Sequence, residues 1–157
     1  MKNSKKLTPV RRSLKKASTL LPLVLDGLGA VKNAHRAYFD NGIRKDFADS
    51  LDIDEAMQVG HEGENRWDYL LGHAPSNKVI AVEPHSAKQD EITTVINKRK
   101  AAQQQLSSHL KEGSKVEKWL WVASGKVHFA NTEKAALRLN QNGIEFVGTT
   151  VKAKHLK

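Results

Sequence analysis

Between Lys78 and Glu83 the chain reads Lys-Val-Ile-Ala-Val-Glu, four consecutive apolar residues closed by a carboxylate. A run without alternation leaves no face for water, so it predicts a strand buried on both sides within a covered sheet. The preceding segment, Arg66-Trp67-Asp68-Tyr69-Leu70-Leu71, is β-prone and ends in Gly72 and the turn signal Ala74-Pro75-Ser76-Asn77. The two segments together predict a hairpin. From Lys88 to Leu110 the spacing turns helical, with Ile92, Val95, Ile96, Ala102, Leu106 and Leu110 on one face, and Glu112-Gly113-Ser114 ends it. Strands buried on both faces beside a long amphipathic helix require layers, which points to an α/β domain.

The flanking segments extend that plan. Leu20 to Tyr38 shows helical spacing, with Pro22 suited to a first turn and Asp40-Asn41-Gly42 as a stop. Ile43 to Val59 mixes acids with apolar residues and reads as short helices or an excursion packed on the sheet. Val116 to Ala123 predicts a Trp-rich strand, Ser124-Gly125 a tight turn, and Lys126 to Ala130 the returning partner. Asn131-Thr132-Glu133 caps a helix through Asn140 that Gly143 closes, and Ile144 to Val151 predicts a last strand. The expected fold class is α/β (α+β), with a mixed central β-sheet flanked by helices. A chain of 157 residues suits one such domain. Residues 17–157 are assigned to it, and residues 1–16 read as a flexible basic arm.

Charge narrows the partners. The formal charge is +9, and the chain has no cysteine, which excludes disulfides, zinc–thiolate sites and thiol catalysis. Residues 1–16 carry only bases, among them Lys5, Lys6, Arg11, Arg12, Lys15 and Lys16. Residues 40–68 reverse the sign, with nine acids against Arg44, Lys45 and Arg66. A basic surface binds a phosphate backbone through counterion release, so nucleic acid is the expected partner and those six bases its expected contacts. No apolar run approaches the roughly 18 residues of a membrane span, no secretory signal is legible, and a reducing cytoplasm is the expected setting.

The chemistry-bearing residues gather around the central hairpin. Asp68 and Glu83 on neighbouring strands could converge on one hard cation, Mg²⁺ or Mn²⁺. Residues 83 and 85 share a strand face, so Glu83 and His85 would point into one site. Glu64 is a further acid four residues before Asp68. Trp119 and Trp121 share a strand face and read as core more readily than as base-stacking platforms. Lys98-Arg99-Lys100 spans most of a helix circumference and cannot meet one phosphate as a unit. His61, His73 and His85 recur every twelve residues without zinc-ligand spacing.

From about Leu20 to Ala123 the pattern resembles the PD-(D/E)xK, or restriction-endonuclease-like, superfamily. The resemblance rests on Asp68, the apolar strand Val79–Val82, the triplet Glu83-Pro84-His85 and the helix that follows. It implies a restriction-endonuclease-like core, Mg²⁺ or Mn²⁺ held by Asp68 and Glu83, and cleavage of phosphodiester bonds in DNA or RNA. Trp67 stands where the family has proline, and His85 where it has lysine. His85 would then assist water, or a lysine from the next helix, Lys88 or Lys98, would reach back. Cutting both strands would call for a homodimer or two passes. A non-catalytic nucleic-acid-binding module and a protein-interaction domain are the alternatives on the same fold.

Overall fold

The computed structural model describes residues 7–127 and 133–157. Six strands form one sheet in the order β1-β2-β3-β4-β5-β6. They are β1 (Leu25–Asp26), β2 (Phe47–Asp52), β3 (Tyr69–His73), β4 (Lys78–Ala87), β5 (Lys118–Val127) and β6 (Ile144–Phe146). The first four pair antiparallel, and β4–β5 and β5–β6 pair parallel, so the sheet is mixed. Helix α4 (Glu91–Leu106) links the parallel pair β4–β5, and α5 (Glu133–Gln141) links β5–β6. A parallel connection must return along the sheet, and a helix is the usual means.

The apolar run of β4 splits between two cores by strand alternation. Val79 and Ala81 join Leu70, Trp119, Trp121, Ile92, Val95, Ile96 and Leu139 on the face carrying α4 and α5. Ile80 and Val82 join Tyr69, Leu71, Leu120, Val122, Phe39 and Leu156 on the other. The tryptophans are core: Trp67 packs edge-on against Trp119 at 5.1 Å, and both are buried. The mixed sheet, the 69–73/78–87 hairpin and the long following helix agree with the sequence expectation. Helix α4 is shorter than 88–110, because Leu110 leaves it to form a bridge with Leu14.

Elsewhere the structure departs from it. Leu20–Tyr38 is not one helix but a 3₁₀ turn at Leu21–Leu23, strand β1 and the short α2 (Asn33–Arg36). Gly27 explains the break: its φ of +56° is left-handed, and its N–H bonds Ala48 O to seat β1 on β2. The helix that the spacing of Leu20–Tyr38 predicts is therefore replaced by these shorter elements. Within 43–59 lies a full strand, β2, followed by α3 (Ile53–Ala56). Its apolar pattern was masked by Asp49 and Ser50, both buried within it. Ser124-Gly125 is not a hairpin turn: β5 runs through it to Val127, parallel to β4, with a bulge opposite His85/Ala87. Residues 128–130 and the cap residues Asn131 and Thr132 lie outside the described residues. The last strand ends at Phe146, and Val151 instead bridges Phe39.

The basic arm is also corrected for its second half. Pro9–Ser13 forms helix α1, with Val10 and Leu14 in the main core. Asp49 explains the docking. Its carboxylate accepts the N–H groups of Val10 (3.2 Å) and Arg11 (3.0 Å), two donors that a helix start leaves unpaired. Gly72 makes room for it, since a Cβ there would stand 1.9 Å from Asp49 Oδ1 and 3.0 Å from Pro9.

Candidate carboxylate and lysine site

Register sets the geometry. Tyr69 pairs with Val82 and Leu70 with Ala81, so Asp68 comes opposite Glu83 one step beyond the ladder. Leu70 and Ala81 face the α4 core, and alternation turns Asp68 and Glu83 to that same face. The contact is direct: the Asp68 N–H donates to Glu83 Oε1 at 2.9 Å. Glu83 is fully buried. A carboxylate in that position is costly unless it is paired, and here it is paired twice. Lys98, about two turns into α4, donates from Nζ to Glu83 Oε2 at 2.7 Å.

His85 lies two residues on, its Nδ1 3.5 Å from Glu83 Oε2 and its Nε2 2.9 Å from Glu91 Oε2. Glu83 foremost, then Glu91, raises the imidazole pKa above its usual 6.5, against the effect of burial. His85 in turn lowers that of Glu91. Its backbone oxygen accepts from Trp121 Nε1 at 3.1 Å, which fixes this stretch of β4 against β5. The Asp68 carboxyl is pushed from 3.8 up to about 7, first by burial and then by the charge of Glu83, while Lys98 pulls the other way. A carboxyl that ionises near neutrality beside a buried, lysine-bound carboxylate has the electrostatics of a functional site.

Of the expected site residues, Asp68, Glu83 and His85 come together. Lys88 is exposed, and the lysine bonded to Glu83 is Lys98. Glu64 turns away to His61 and Gln105. Arg66 pairs with Asp54 rather than Asp68. Glu91 was not anticipated; its place in the first turn of α4, six residues after His85, was the available signal. Among the expected phosphate contacts, Arg11 is engaged by Asp26 and Thr8, and Arg12 by Asn77 and Leu7. Lys15 and Lys16 are exposed, and Lys5 and Lys6 lie outside the described residues.

Among the described residues no group of three or more His, Asp or Glu is arranged to hold a metal ion. The nearest pair of carboxyl groups is Asp68 and Glu83, and both Glu83 oxygens are already engaged, Oε1 by the Asp68 N–H and Oε2 by Lys98. Among the described residues no helix is long and apolar enough to cross a membrane. Comparisons with protein-family models, with curated proteins and with solved structures return no match for this chain.

Proposed function

We propose that this protein is a divalent-metal-dependent nuclease whose site is Asp68, Glu83, Lys98 and His85, and that it cleaves phosphodiester bonds of DNA or RNA. The observation that carries the reading is the buried Glu83, bonded by Lys98 and facing an Asp68 whose carboxyl ionises near pH 7. Two carboxylates on one sheet face are poor neighbours in the absence of a cation, and a divalent ion relieves their repulsion. Asp68 and Glu83 are the residues that would hold Mg²⁺ or Mn²⁺, which supplies an activated water and balances charge on the phosphate. Lys98 takes the place the resemblance gives to a triplet lysine. Its ammonium is aimed at Glu83 from the helix, where it can orient the attacking water or offset charge on a scissile phosphate. His85 is held by Glu91 and can pass a proton at Nδ1, on the Glu83 side.

The reading is compatible with a mixed sheet flanked by helices and draws further support from a chain charge of +9. It goes with a cytoplasmic setting, where a chain without cysteine loses nothing. A homodimer would serve cleavage of both strands. The test is cleavage of end-labelled single- and double-stranded DNA and RNA, with and without Mg²⁺ or Mn²⁺. Wild type is expected to cut only with metal, and Asp68→Asn, Glu83→Gln and Lys98→Met each to lose at least about a hundredfold, a typical loss on removing one electrostatic catalytic group. Salt-sensitive binding without cleavage by wild type under every metal condition would favour the non-catalytic binding module instead.

A further inference from the structure

We infer that the end of the sheet opposite the carboxylates is a second anchor for a nucleic-acid backbone, built by three chain segments that the fold brings together. It rests on the proposal that the protein acts on nucleic acid. The segments are tied to one another. Arg12 donates to Asn77 Oδ1 at 2.5 Å in the β3–β4 turn. Lys111 N–H donates to Ser13 O and Lys15 N–H to His109 O, both at 2.8 Å. Glu117 N–H donates to Val79 O at 2.9 Å. Between them lies an open groove of about 150 Å³, lined in part by Arg12, Asn77, Lys78, Ser114, Lys115 and Glu117.

The charge of this surface is one-sided. Arg12, Lys15, Lys16, Lys78, Lys111 and Lys115 stand in these segments against Glu112 and Glu117. Lys115 is well exposed, and its 3.9 Å approach to Glu117 is too long to neutralise it. Arg12 is held in place by Asn77 and Leu7, which orders a cation at the rim without cancelling its charge. Neither Arg12 nor the docked helix belongs to a free tail: Asp49 pins α1 against β2, so the first basic segment is a fixed part of the surface.

Position gives the patch a role that the arm alone would lack. Lys78 opens β4 and Glu83 lies five residues further, about 17 Å along the strand. A duplex advances about 3.4 Å per base pair, so the patch sits about five steps from the carboxylates. Charges at that distance position the backbone and take no part in the bond-breaking step. The occupant is a phosphate backbone because cations dominate the surface and the groove is lined mainly by polar and charged side chains.

The test measures binding of a 20-nucleotide labelled DNA and of the matching RNA in EDTA over 50–300 mM salt, for the full chain and for Lys78→Gln/Lys115→Gln. Loss of two phosphate contacts should flatten the slope of log K against log salt by roughly 1.4–1.8, and weaken binding about tenfold at low salt. Lys15→Gln/Lys16→Gln, which changes only exposed side chains, should act in the same direction. Unchanged slopes in both variants with wild-type folding would overturn the proposal, as would tighter binding to polyglutamate than to either nucleic acid. Metal is absent throughout, so failure of the cleavage reading and failure of the anchor appear in different assays.

Discussion

Replacing Asp68 with asparagine isolates the electrostatic strain of the site. In the folded protein its carboxyl ionises near 7, against an ordinary 3.8. A group whose folded pKa is raised contributes fully below the unfolded value and loses that contribution as pH rises towards the folded one. Stability from Asp68 should therefore fall between about pH 4 and pH 7 and then level off. Each tenfold change in proton affinity is worth about 1.36 kcal/mol, so the gap of about three such steps corresponds to about 4 kcal/mol. Asp68→Asn removes the ionisation. It should match wild type near pH 4 and exceed it at pH 8 by up to about 4 kcal/mol, or roughly 8–16 °C in Tm for a domain of this size. Urea unfolding across pH 4–9 measures the difference directly, and the urea midpoint must move without a change in slope. Saturating Mg²⁺ should stabilise wild type at pH 8 and not the variant. A pH-independent difference between the two proteins would refute the reasoning, because the penalty would then not come from the Asp68 charge.

Lys98→Met leaves Glu83 buried without its ammonium partner and should cost about 3–5 kcal/mol by chemical denaturation, most of which Glu83→Gln in the same chain should restore. His85→Ala should be destabilised at pH 6 and approach wild type at pH 9, since a raised histidine pKa stabilises below 6.5 and the gain is lost on passing the folded value. Asp49→Ala orphans two amide donors of α1, which predicts a loss of about 2 kcal/mol in thermal unfolding and faster proteolysis within residues 7–16.

The legible parts of this fold were those where a single physical rule dominated. Val79–Val82 announced a strand buried on both faces, and the 3.6-residue period of Ile92 to Leu106 announced α4, because burial alone dictated those residues. The hairpin placed Asp68 opposite Glu83 for the same reason. Strand β2 stayed hidden because two of its six residues are buried polar groups chosen for partners elsewhere, Asp49 for α1 and Ser50 for the Ala30 N–H. No local pattern reports a partner 39 residues away. Leu20–Tyr38 misled through periodicity that Gly27 overrides. Lys98 and Lys88 were both within reach on paper, and the choice fell to the helix phase: Lys98 lies on the flank of α4 nearest the sheet, whereas Lys88 precedes the helix and is exposed.

Crystals soaked in Mn²⁺ at pH 8, with anomalous scattering recorded at the manganese edge, test the central claim most directly. The account predicts one peak between the two carboxylates, about 2.0–2.6 Å from an oxygen of Asp68 and of Glu83, and no peak there in Asp68→Asn. No peak at saturating Mn²⁺, with Lys98 still bonded to Glu83, would contradict it.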